Sequence, residues 1–256
     1  MIPAGSIDAQ SLLPLLGLGL VSGLMIGCIG IGGVILVPAL AFAGGVPIHS
    51  AIAAAMAGFL LTGAIGTLVF ARNRSIRWDL SGALWLGAMP AALAGALAAS
   101  VAPSRWLEAV IGATTLLSGA HSLLQGAGDR KEDGHAAKPA ALAVIGAITG
   151  FLSALSGTGG PLVLVPILMW LGMPVLMVIG LAQAIQLPIA VLATAGNLYA
   201  GTVDLALGAI LGVGLSVGTW AGAKLAHVLP RQVLRRFVSV VLLAVGVFIL
   251  IRFARR

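Results

Sequence analysis

Two stretches of this chain bring together residue types that could hold an oxyanion. Residues 27–38 read GCIGIGGVILVP and residues 154–166 read ALSGTGGPLVLVP, each inside a long apolar run. Glycines open the backbone there, and Gly159-Gly160-Pro161 adds a direction. Proline is favoured at the first position of a helix, where its missing NH costs nothing, so a new helix is expected to start near Pro161. Main-chain NH groups around Gly160, Leu162 and Val163 would then face the break with the positive end of the helix dipole, a setting that suits an anion. Gly30, Gly32, Gly33 and the segment from Val34 to Leu36 offer the same arrangement in the first stretch.

Side chains near the breaks fit a neutral, hydrogen-bonding site. Ser22, Ser153, Ser156 and Thr158, the last two flanking Gly157, lie beside them in sequence, and Gln183, Gln186 and Asn197 are uncommon polar residues within a later apolar run. Gln183 and Gln186 are three apart and share a helix face, so both could look into one cavity. Each hydroxyl has a plainer alternative, a bond back to its own helix. The amides have less choice, because an amide facing lipid is costly. His49, Asp79 and Asp204 are the candidates for proton coupling, although each lies near the end of a run, as does Glu108. No grouping of Cys, His, Asp and Glu has metal-ligand spacing, and no nucleophile sits with a base, so neither an enzyme nor a metal or other cofactor is expected. Cys28, the single cysteine, reads as a small packing residue.

The elements that must carry these groups follow from composition. With 60% hydrophobic residues, 8% charged residues and 36 glycines in 256 positions, and a mean hydropathy of +1.13, the chain cannot hide its apolar surface in a soluble globule. An all-α integral membrane protein is expected. Apolar runs cover 12–43, 49–71, 78–101, 104–124, 140–171, 174–199, 204–229 and 233–251, each near or above the roughly 20 residues that cross a bilayer as helix. No cleavable signal pattern opens the chain, so the first run belongs with the rest. The net charge of +7 does not mark a nucleic-acid binder, because the basic residues occupy short loops between runs.

One loop, QGAGDRKEDGHAAK at 125–138, reads as a linker, dividing a first unit 1–124 from a second unit 139–256. Shifting the second unit back by about 127 residues aligns them. Gly23, Gly30, Gly32 and Gly33 then fall on Gly150, Gly157, Gly159 and Gly160, and Pro47, Gly95 and Pro103 fall on Pro174, Gly222 and Pro230. Loop charge orients the copies. Arg72, Arg74 and Arg77 follow the second run of the first unit, whereas the matching AGTVD near 200–204 has no basic residue. The next loop reverses this bias, with only Arg105 in the first unit against Arg231, Arg235 and Arg236 in the second, so equivalent loops favour opposite sides of the membrane.

Two inverted repeats result, and inversion needs an odd number of crossings per unit. It is met if 12–43 and 140–171, each about 32 residues and too long for one ordinary span, enter and leave on one side. Each unit is then a broken or re-entrant Gly-rich segment plus three transmembrane helices. Arg72, Arg74, Arg77, Arg130, Lys131, Lys138, Arg231, Arg235 and Arg236 face the cytoplasm in this topology, and the linker with them; Arg252, Arg255 and Arg256 end outside, against the rule. Unwound backbone at membrane depth is tolerated only around a protein-lined or watery cavity, so matched breaks point to a shared central one. Gly82, Gly87, Gly95, Gly112, Gly119, Gly208, Gly212 and Gly222 read instead as packing residues between helices.

The opening of each unit resembles the TauE/SafE sulfite exporter family, a group akin to the 4-toluene sulfonate uptake permeases. Gly19, Ser22, Gly23, Gly27, Gly30, Gly32, Gly33, Val37 and Pro38 match its first-half pattern, with Val34 replacing the last of three consecutive glycines, and Ser156-Gly157-Thr158-Gly159-Gly160-Pro161 is similar to its second-half version. The resemblance covers nearly the whole chain. It implies a multi-pass transporter of the cell inner membrane that exports a small sulfur anion, sulfite or an organosulfonate such as sulfoacetate. The expected partners are that anion and the lipid bilayer, with a homodimer compatible with the reading. The rival readings are a proton-coupled importer of a small anion and, more distantly, a non-transporting membrane assembly subunit.

Overall fold

A computed structural model describes residues 9–30, 32–124 and 138–230, with Val233, Val240, Ala244, Val247 and Ile251 beyond them. The described residues are helical without strands, as a chain surrounded by hydrocarbon must be if its backbone groups are to pair within each segment. The first half contains α1 (Ala9–Ile29), the short α2 (Gly33–Pro38) running into a π-helical turn (Ala39–Ala43), α3 (Ile48–Arg72), α4 (Trp78–Val101) and α5 (Ser104–Leu124). The second contains α6 (Pro139–Ser156), the short α7 (Pro161–Trp170), α8 (Val175–Tyr199) and α9 (Leu205–Ala226). Six helices among the described residues, α1, α3, α4, α6, α8 and α9, are long and apolar enough to cross a membrane. The expected run 233–251 and most of the linker lie outside the described residues.

The two long runs break where their glycines are. Gly30 (φ +80°) ends α1 and Gly157 (φ +71°) ends α6, left-handed positions where a side chain would crowd the following carbonyl. At Gly157 the Ser153 carbonyl takes up the NH groups of Gly157 and Thr158. Pro161 then opens α7, as expected of a residue with no NH to lose.

Glycine contacts fix the sense of each long helix. The space a side chain would need at Gly19, Gly23 and Gly27 of α1 is filled by the carbonyls of Leu211, Leu215 and Thr219 on α9, so α1 and α9 run parallel. Gly208 meets Ala57 and Gly212 meets Gly58 and Leu61, while the rings of Phe70 and His227 touch; α3 therefore runs with α9 as well. In a second group, Gly87 and Gly95 of α4 meet the carbonyls of Ala143 and Phe151 on α6, and Gly196 of α8 meets Leu93 and Ala96 of α4. Between the groups, Gly63 lies on Leu187 and Gly66 on Gln183, so α3 and α8 cross in opposite senses.

Three consequences follow. Because α1 and α3 share a direction, α2 has to travel back between them, and α7 does the same between α6 and α8. The corresponding helices α1 and α6, α3 and α8, and α4 and α9 run in opposite senses. The halves also exchange partners, with α1 along α9 and α6 along α4, in a single core centred on α3 and α8. Gly82 departs from the packing role expected of it: nothing lies within 4 Å of the position its side chain would take, and it is exposed on α4. Gly87, Gly95, Gly208, Gly212 and Gly222 all face neighbouring helices.

Candidate functional site

The two breaks meet. A Cβ on Gly33 would strike the backbone of Thr158, with its carbonyl oxygen 2.6 Å away, and one on Gly30 would lie 3.2 Å from the Cβ of Pro161. Gly157 abuts Val37 and Ile52, and Gly159 (φ +82°) sits against the ring of Phe59, with the Gln186 amide nitrogen 3.5 Å from the place of a Cβ. Gly160 (φ +107°) faces Ile185 and Ile189. Phe59 and Gln186 lie near the middles of α3 and α8, which places the junction at mid-depth of the two central helices. Only glycine allows backbone from the two halves to approach this closely.

Both breaks are shut away from solvent. Gly30, Gly32, Gly33, Gly157, Gly159 and Gly160 are buried, as are Val34, Ser156 and Thr158. No path from solvent to the junction is open past these buried residues. The first-turn NH groups are partly occupied: those of Val163 and Leu164 reach the Gly160 carbonyl at 3.3 Å, and those of Ile35 and Leu36 reach Gly32 at 3.1 and 3.3 Å. The expected row of NH groups open to a ligand is thus shorter than anticipated at Ile35, Leu36 and Val163.

Side chains complete the junction. Gln183 donates its amide to the Ile26 carbonyl at 2.6 Å, the same oxygen that receives the Gly30 NH at 2.8 Å, and so ties α8 to the end of α1. Gln186 donates to Thr62 Oγ1 at 2.7 Å, and Thr62 donates on to the Phe59 carbonyl. The two amides therefore serve different breaks rather than one open cavity. Ser156 follows the plainer alternative, donating to the Leu152 carbonyl at 2.6 Å while sharing a 2.9 Å bond with Thr158. Ser22 and Ser153 Oγ, and Gln183 and Gln186 Oε1, are buried polar atoms with no partner, an unusual state for interior groups. Asn197 is buried, with its amide nitrogen also without a partner, but it lies about 16 Å along α8 from Gln186 at 1.5 Å per residue and does not join the breaks.

The coupling candidates are absorbed into helix ends. His49 Nε2 pairs with the Ala102 carbonyl at 3.0 Å, pinning α3 to the end of α4. Exposed Asp79 forms a two-pronged ion pair with Arg77, and Asp204 caps α9 through the Leu207 NH at 3.0 Å. None of the three touches a break. Glu108, read as an end-of-run residue, is buried on α5 in a groove beside Val37, Pro38 and Ile48.

Several polar residues were missed by the sequence reading. Thr62, which holds Gln186, and Thr149, buried with an unpartnered hydroxyl, were both overlooked. Thr149 stands at the repeat position of Ser22, so the register contained the signal. Trp85 carried no signal at all: its indole NH donates to the Ala184 carbonyl at 3.1 Å, the carbonyl that Pro188 four residues on leaves without its helical donor.

No curated protein and no solved structure gives a significant match to the chain. The family model described as sulfite exporter TauE/SafE matches residues 15–249, a span that takes in both breaks and all the membrane helices that frame them. With two glycine-broken runs at matching places in an all-helical, multi-pass membrane protein, the chain belongs to the TauE/SafE sulfite exporter family, a family of membrane transporters of sulfur anions.

Proposed function

We propose that the protein exports a small sulfur oxyanion or organosulfonate across the cell inner membrane, holding it where the two breaks meet. The observation that carries this reading is the contact of Gly30 and Gly33 with Pro161 and Thr158, which puts helix starts and unpartnered polar atoms from both halves in one buried place. The opposite senses of corresponding helices favour two inverted repeats, and such repeats alternate access by rocking around a fixed central site. Their helix directions put Arg72, Arg74, Arg77, Lys138 and Lys224 at one end of the bundle, and basic loops favour the cytoplasm.

Export of an anion needs no coupled ion. With the cytoplasm negative, moving one negative charge outward releases about 2.3 kcal/mol per 100 mV. In proteoliposomes, efflux of radiolabelled sulfite should follow a potassium-diffusion potential and be indifferent to a pH gradient once substrate protonation is allowed for. A strict requirement for a proton gradient would overturn this reading in favour of a proton-coupled importer, for which buried Glu108 is the supporting observation.

A further inference from the structure

The junction carries no formal positive charge from the described residues. Arg72, Arg74, Arg77, Arg105, Lys138 and Lys224 are all exposed. Among the elements around the breaks, titratable groups are few: Cys28 is buried on α1, His49 and Arg72 stand at the two ends of α3, Glu108 is buried on α5 beside Val37 and Pro38 of α2 and adds negative rather than positive charge when ionised, and Tyr199 is exposed at the end of α8, while α2, α6 and α7 have none. What remains is the positive end of α7, equivalent to roughly half an elementary charge. That offsets much of one negative charge and little of two. The solvation cost of moving an ion into a medium of low dielectric rises with the square of its charge, so a dianion costs about four times as much as a monoanion of the same size.

The unpartnered atoms add a second, independent observation. Ser153, whose carbonyl caps the end of α6, has a free hydroxyl, and Gln186, whose amide borders Gly159, has a free carbonyl oxygen. Gln183, tied to the last turn of α1, also has a free Oε1. A hydroxyl donates to an anion, but an amide oxygen only accepts, and it repels an oxyanion that has no proton to give. A matching ligand both accepts and donates.

We propose, resting on the transport reading above, that the species held at the breaks is a singly charged, protonated oxyanion, hydrogensulfite in the case of sulfite, and that fully ionised dianions are rejected. Reconstituted wild-type protein tests this directly. At a clamped membrane potential, KM for total sulfite should rise about tenfold per pH unit above the second ionisation of sulfurous acid, the factor by which the monoanion declines. KM expressed as monoanion should stay constant, and sulfate, a dianion throughout, should not compete. Selenite, whose second ionisation lies at higher pH, should inhibit with a pH profile displaced upward to match. An inflection at one pH for both substrates would assign the titration to a protein group and overturn the inference, as would competition by sulfate at parity with sulfite. Either result leaves sulfite transport standing, whereas no transport of sulfite at any pH would overturn the transport reading and this inference with it.

Discussion

At the scale of single residues, backbone conformation separates glycines that serve the site from glycines that do not. Gly160 has φ +107° and ψ −55°, a combination that a β-branched residue adopts only at a cost of about 1–3 kcal/mol. Gly160→Val should lower the melting temperature in detergent and abolish sulfite binding in a calorimetric titration. Gly82→Ala, on an open helix face, should retain binding and melt at the same temperature or slightly higher, because alanine is the better helix former. Wild-type affinity in Gly160→Val would make the breaks packing devices. A different prediction attaches to Trp85, which satisfies the carbonyl released by Pro188. Trp85→Phe keeps most of the apolar bulk but leaves a buried carbonyl unpaired, so the protein should lose about 1–3 kcal/mol of stability, read by unfolding in mixed micelles. The Gly-Gly-Pro signal was legible in the sequence because each residue type has one dominant backbone meaning. The Trp85 bond was not, since it joins residues far apart in the chain, and only the fold says which carbonyl a given indole will reach.

Between elements, the membrane removes the hydrophobic drive that joins helices in water and leaves close packing to do the work. That is why α1 and α9, and likewise α6 and α4, meet along glycines whose missing side chains are replaced by a neighbour's carbonyl. A methyl group at Gly23 would collide with the Leu215 backbone, and one at Gly150 with the Ala88 backbone. Neither helix can yield by rotating a side chain. Gly23→Ala and Gly150→Ala should each destabilise by about 1–3 kcal/mol, and by similar amounts, because the two contacts occupy matching places in the halves. At Gly212 the nearest atom is Leu61 Cδ1 at 3.1 Å, the far end of a flexible side chain; Gly212→Ala should cost less than about 1 kcal/mol. Equal losses at all three positions in unfolding titrations would show that glycine content, not register, sets the packing. Run length and spacing made these helices legible in advance, including the division of 12–43 and 140–171. Their partners were not legible, because a glycine in an apolar run is compatible with packing, with a break or, as at Gly82, with an open helix face.

Across the whole molecule, the contacts that orient the helices also sort the loops. Ser75 lies against Gly180 near the start of α8 and bonds His227 after α9 at 3.2 Å, so the α3–α4 loop, the start of α8 and the end of α9 share one end of the bundle. The start of α6 joins them, because α6 runs with α4. His49 and Ala102 hold the opposite end together, where the loop of Gly201 and Asp204 also falls, since α8 ends there and α9 begins. Exposed Arg72, Arg74, Arg77, Lys138 and Lys224 thus stand at one end and exposed Arg105 at the other, a bias that should put the first end in the cytoplasm. The linker arginine and lysine and the arginines beyond residue 230 lie outside the described residues, so labelling has to test their side of the argument indirectly. Cysteines introduced as Arg74→Cys and Lys138→Cys should react with an impermeant maleimide only in inverted vesicles, and Gly201→Cys only in right-side-out ones. Cys28 is buried and should give little background in either. Labelling of 74 and 201 from the same face would contradict the opposite senses of α3 and α8 that the contacts of Gly63 with Leu187 and Gly66 with Gln183 require, and with them the inverted relation of the two halves. Labelling of 138 apart from 74 would break only the second half of the scheme, leaving the α1–α2 hairpin intact and requiring α6 to cross in the other sense from α4, against the contacts of Gly87 and Gly95.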